Sequence, residues 1–142
     1  MKKYLLMAAL VAATSHSVAA RDDIGKYSIA DLLATTKAKD ALLDVPLYFA
    51  DQPHSAAKET FGEVMTNKKT NAFNKSDKEA CEWVMLSALK ALQERAQREG
   101  MNAVVGIESY YKKREFKSSE QFECGAGFLM AGVALKGTLV KL

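Results

Sequence analysis

The chain has 142 residues, 49% of them hydrophobic and 26% charged, with 20 basic and 17 acidic side chains. That length holds one ordinary domain, and the composition is that of a folded protein rather than a disordered one. A net charge of +3 is too small to mark a nucleic-acid or membrane-surface protein by charge alone.

Residues 1–20 have the layout of an export signal: Lys2 and Lys3, an apolar run over residues 5–13, and Ser17-Val18-Ala19-Ala20 as a small-residue exit. The run is too short to span a bilayer as a permanent helix, and no cysteine near the exit offers a lipid attachment point. Neither a membrane span nor a lipid anchor is therefore expected. Cleavage near Ala19 or Ala20 leaves a single domain over residues 21–142, bound for the periplasm or the medium. It removes two lysines and no acid, so 18 bases face 17 acids. Cys81 and Cys124 both survive processing, and in an oxidising compartment they are expected to form a disulfide. They lack the C-x-x-C spacing of a redox or metal-binding thiol pair.

Residues 21–44 read as helical but broken. Ser28 and Asp31 give a helix-start signal before Ile29, Leu32 and Leu33, Thr35-Thr36 interrupts, and Asp44-Val45-Pro46 ends the segment, so two short helices are predicted. Leu47, Tyr48 and Phe49 suggest a short strand, and Asp51-Gln52-Pro53-His54 a turn. Residues 58–66, with Phe61, Val64 and Met65, read as another strand. The polar run over residues 67–75 reads as a solvated connector, within which Asn67, Lys68, Lys69 and Asn71 make a candidate anion-binding loop.

From Ser76 the pattern changes to one long helix. Ser76 and Glu79 have capping-box spacing, Gly100 closes the other end, and Cys81, Val84, Met85, Ala88, Leu92 and Ala96 fall on one stripe. Trp83 and Leu86 project off that stripe. They need a cover, either the N-terminal helices, which Ile29, Leu32 and Leu33 favour, or a partner protein. Ala103, Val105 and Ile107 then alternate with strand period. Tyr110 and Tyr111 lead a cluster of aromatics and bases that serves as a second candidate partner contact. Its composition suits single-stranded nucleic acid, but it is short and no wider basic surface is evident, so no nucleic-acid partner is expected. Residues 117–121 read as an exposed hairpin loop. The glycine-rich apolar stretch over residues 122–142 reads as one long buried strand, whose start must lie beside the helix start if the cysteines join. The predicted class is α+β: a long central helix packed on a small, mainly antiparallel sheet, with a strand-helix-strand-strand core and short N-terminal helices.

The helix, the turn carrying Gly100, Asn102, Ala103, Val104, Val105 and Gly106, and the glycine-rich final stretch resemble the YbjQ-like and RcsF-like group of small α/β proteins over about half the chain. The whole mature chain is more similar still to small exported bacterial proteins of undefined function that often carry the label of an excinuclease ATPase subunit; residues 66–75 and Phe122-Glu123-Cys124 carry that similarity. The label fails on chemistry. An ATPase needs a phosphate-cradling G-x-x-x-x-G-K-[ST] loop, and two isolated cysteines do not make the zinc clusters of the excinuclease subunit. The RcsF-like resemblance implies envelope-stress sensing, although the anchoring cysteine of that group is missing. The YbjQ-like resemblance implies heavy-metal binding, but His54 is the only histidine outside the leader, and no metal site or cofactor is expected.

The functional expectation is a non-catalytic exported protein, monomeric or a small homo-oligomer, that binds an unknown envelope protein in stress sensing or envelope maintenance. The alternative is a small-ligand, anion or metal binder. A small hydrolase built on Asp51, His54 and Ser55 is a third, less favoured reading, because residues so close in sequence rarely reach triad geometry.

Overall fold

The computed structural model describes residues 23–142, and the expected export signal lies outside them. The elements run β1 (Asp23–Ser28), α1 (Ile29–Leu33), α2 (Thr36–Ala41), β2 (Leu47–Phe49), β3 (Glu59–Asn71), α3 (Asp77–Arg98), β4 (Ala103–Ser109), β5 (Gln121–Ala126) and β6 (Met130–Lys141), with a 3-10 turn at Tyr111–Lys113. The class is α+β, as expected, with α3 laid on a mixed six-stranded sheet.

The ends of α3 are set by local chemistry. The Ser76 hydroxyl accepts the Glu79 N–H at 3.1 Å, satisfying one of the free donors of the first turn. At the other end Gly100 takes φ +73°, which lets Gly100 N–H reach the Gln97 carbonyl and Met101 N–H the Ala96 carbonyl. This is a glycine-dependent helix stop. Between them Cys81, Val84, Met85, Ala88, Leu92 and Ala96 are buried, as their spacing requires. They pack in one cluster with Ile107, Phe122, Cys124, Val133, Leu135 and Leu139 of the sheet.

β6 is the spine of the sheet. β3 pairs with one of its edges from Glu59↔Lys141 to Asn71↔Met130. The other edge is shared: β5 takes Ala131 and Gly132, and β4 takes Leu135 through Val140. β1 then extends β5 antiparallel, and β2 extends β4 as a parallel pair. The sheet thus branches at the middle of β6. α1 and α2 start at the hydroxyls of Ser28 and Thr35, the two short helices that were predicted. Gln93, buried within α3, accepts from Leu43 N–H and donates to the carbonyls of Leu43 and Val45, each at 2.9 Å. That clamp ties the chain after α2 to the helix.

Three expectations are corrected. Residues 23–28 are a strand rather than a helical lead, held by six successive pairings with β5 although only Tyr27 packs against the core. Half of the polar connector belongs to β3: Asn67, Lys68, Lys69 and Asn71 are ladder residues opposite Ala134, Val133, Gly132 and Met130, so no anion loop exists there. The final stretch is a hairpin of β5 and β6 rather than one strand. Its turn at Phe128 and Leu129 is closed by Gly127 N–H to the Met130 carbonyl at 2.9 Å.

Candidate functional site

The structure joins Cys81 to Cys124, with Cα atoms 5.8 Å apart, so the first turns of α3 are tied covalently to β5. The start of the glycine-rich stretch lies beside the start of the helix, as the sequence required. The disulfide, together with the finding that no helix among the described residues is long and apolar enough to cross a membrane, fits a protein exported to an oxidising compartment.

Of the proposed contacts on α3, Leu86 is corrected: it is 1% exposed, inside the core with Leu32 and Ala38, and offers nothing to a partner. The N-terminal helices supply the cover its position demanded. Trp83 remains 42% exposed, flanked by Lys37, whose Nζ lies 5.4 Å from the ring centre and 3.1 Å from Glu82.

Tyr110 and Tyr111 sit where the sheet branches, on the face away from α3. Tyr110 N–H donates to the Ala134 carbonyl, and Lys136 Nζ lies 4.7 Å above its ring. The Tyr111 ring rests on the paired glycines Gly125 and Gly132: a Cβ on Gly125 would come within 2.2 Å of the phenol end. Lys112 and Lys113 follow with φ of 53° and 61°, a left-handed pair that costs backbone energy and turns the chain over the sheet. Lys136 bonds Glu115 and also Glu108, at 3.0 Å. The hydrogen bonds to Glu115 and Glu108 hold its ammonium well above the usual lysine range, and the bond to Lys136 holds the Glu115 carboxyl below its usual range. Deeper in the branch Glu123 is 2% exposed, with Oε1 3.9 Å from Arg114 and Oε2 without a hydrogen-bond partner among the described residues.

The hydrolase candidates do not converge. Asp51 pairs with Lys117 at 2.8 Å, a hydrogen bond that raises the lysine's pKa, and His54 Nδ1 bonds the Ser55 carbonyl with its ring beside Tyr48. All three side chains lie on the exposed loop after β2.

Two surface features that sequence reasoning missed are more distinctive. The first is an apolar tip. The turn at Phe128 and Leu129 meets the loop after β3, with Ala72 N–H bonded to the Leu129 carbonyl at 2.8 Å. Phe73, Phe128, Leu129 and Met130 are 60%, 67%, 64% and 49% exposed there. Asn71 Oδ1 caps Phe73 N–H, and Lys75 donates to the Asn71 carbonyl, so Asn71 shapes this loop. The apolar residues lay in stretches read as connector and buried strand, which concealed their exposure. The second feature is a groove of about 400 Å³ between β3 and the outer face of α3, lined by Lys68, Lys69, Lys90, Glu94 and Arg98. Beside it a smaller depression of about 130 Å³ is floored by Val64, Ala91 and Leu92 and rimmed by Met65 and Arg95. Of the residues singled out as an anion loop, Lys68 therefore does enter a basic concavity, but from a strand, while the Lys69 side chain lies beside Gly132 on the opposite face.

No protein-family model matches the chain, and comparison with curated proteins and with solved structures likewise finds no match.

Proposed function

We propose that the protein is an exported, disulfide-stapled binding module that acts by docking a protein partner of the cell envelope rather than by catalysis. The observation that carries this reading is the apolar tip. Phe73, Leu129 and Met130 are exposed beside the partly covered ring of Phe128, whereas the surface of a monomer rarely exposes a contiguous apolar patch without using it. The disulfide anchors the same end, because Cys124 lies two residues before β5 finishes and Cys81 lies in the second turn of α3. A rigid mount of this kind limits the ordering cost of binding. The export-signal pattern and the RcsF-like resemblance favour an envelope setting and a sensing or maintenance role.

The test compares the mature protein with the Phe128→Ser/Leu129→Ser variant in chemical crosslinking on intact envelopes. A discrete adduct formed by the parent and lost in a variant of unchanged circular dichroism and thermal midpoint supports the reading. Identical adduct patterns for the two proteins refute it.

A further inference from the structure

We propose that the outer edge of β3 accepts an acidic, extended segment of a partner protein as an added strand, with its side chains seated in the basic groove between β3 and α3. This rests on the reading of the protein as a binding module and supplies the chemistry of one docking partner.

Among the described residues β3 pairs only with β6, so along its 13 residues alternate N–H and C=O groups point away from the sheet. The other terminal strands, β1 and β2, have six residues and three. Natural edges are blunted by charges and bulges. Here the bulge lies between Thr60 and Gly62, whereas Glu63 through Asn71 pair with β6 without interruption. That leaves a regular template long enough for a typical strand.

What lies beside the edge selects the occupant. Val64 and Ala72 are in the core, so strand alternation places Thr66, Lys68 and Thr70 on the face toward α3. Lys68 joins Lys90 and Arg98 against a single acid, Glu94, while Ala91 and Leu92 give an apolar floor. Every second side chain of an added strand would fall into this groove. Acidic groups there meet the bases and short apolar ones meet the floor, the division of labour typical of strand addition, in which main-chain bonds give affinity and pockets give specificity. A second copy of this chain is a poor occupant. A two-fold pairing of β3 with itself puts both α3 helices on one face, and brings the Lys68, Lys90 and Arg98 clusters together with like charge.

The experiment uses the mature protein and a blocked nine-residue peptide alternating glutamate with valine or threonine. Calorimetry should show binding that weakens as salt rises, and hydrogen exchange should show new protection at alternate amides within residues 63–71. N-methylation of every second peptide amide should weaken binding about tenfold or more in one register and little in the other, because the four or five N–H groups blocked in the facing register are the ones that donate to β3. Lys68→Glu/Lys90→Glu should lose a similar factor and retain the parent's thermal midpoint. The proposal is overturned if the parent does not bind the peptide, if both N-methylated registers bind as well as the parent peptide, if protection appears outside β3, or if inorganic polyphosphate or oligothymidylate competes as strongly as the peptide does. Phe128→Ser/Leu129→Ser should bind the peptide normally. Peptide binding lost while envelope crosslinks persist removes strand addition and leaves the binding module standing; crosslinks unaffected by the tip variant remove the tip reading on their own.

Discussion

Replacing Cys81 and Cys124 by alanine should cost the domain a large part of its stability. The crosslinked residues are 43 apart, and closing a loop of that size removes denatured-state entropy worth about 4 kcal/mol near room temperature. Both side chains are fully buried, and alanine leaves no polar group stranded in the core. Against a total of roughly 5 to 15 kcal/mol for an ordinary domain, the loss is severe without abolishing the fold. Urea unfolding followed by the fluorescence of Trp83, the only tryptophan, reads it directly. With a slope of about 1.5 kcal/mol per molar, the midpoint should fall by roughly 2 to 3 M, and reduction of the parent should give the same shift. A fall of less than about 0.5 M with an unchanged slope would show that the bond does not restrain the unfolded chain as argued.

Gly125→Ala forces the Tyr111 ring off the sheet, because the new Cβ falls within 2.2 Å of its far end; overpacking of this kind costs about 1 to 3 kcal/mol. In the Tyr111→Ala background the cost should largely vanish, and strict additivity in the double-mutant cycle would contradict the contact. Gln93→Ala strands Leu43 N–H and the carbonyls of Leu43 and Val45, and chemical denaturation should show a loss of about 2 to 4 kcal/mol. The Lys136–Glu115 pair makes stability fall on both pH limbs. Glu115 has a lowered pKa, so its contribution is complete above the usual carboxylate range and is lost as pH drops through the folded-state value. Lys136 has a raised pKa, so its contribution is complete below the usual lysine range and is lost as pH climbs through the folded-state value. Thermal midpoints of Glu115→Gln should therefore fall less steeply than the parent's below about pH 4.5, and parallel curves would contradict the assignment.

The central helix was legible because its signals are local and mutually consistent: a hydroxyl cap at Ser76, a stripe of period 3.6, and Gly100 at the stop. The pairing of Cys81 with Cys124 followed from export chemistry, and it correctly placed β5 beside the helix start. The rest depended on tertiary pairing. β1 shows weak alternation because its exposed residues leave little apolar periodicity, and the start signal at Ser28 drew the preceding residues into a helix. Asn67 through Asn71 look like a loop because an edge strand with one face toward a solvated groove carries the polar residues of a surface. The β5–β6 turn uses Phe128 and Leu129 where two-residue hairpins favour asparagine and glycine, so the turn was invisible. That same departure puts apolar residues in solvent at the tip. Leu86 reads as a candidate contact beside the favoured reading of cover by the N-terminal helices, because periodicity on one helix cannot say how many neighbours cover it; α1 and α2 add a second buried side.

Partner binding depends on whether the apolar tip is a docking surface. A photoreactive side chain placed at Phe128, with a second placed at exposed Lys39 as a control, tests this in the native envelope. A discrete adduct at position 128 and none at position 39 is the predicted result. Equal labelling at both positions, or none at either, would contradict it.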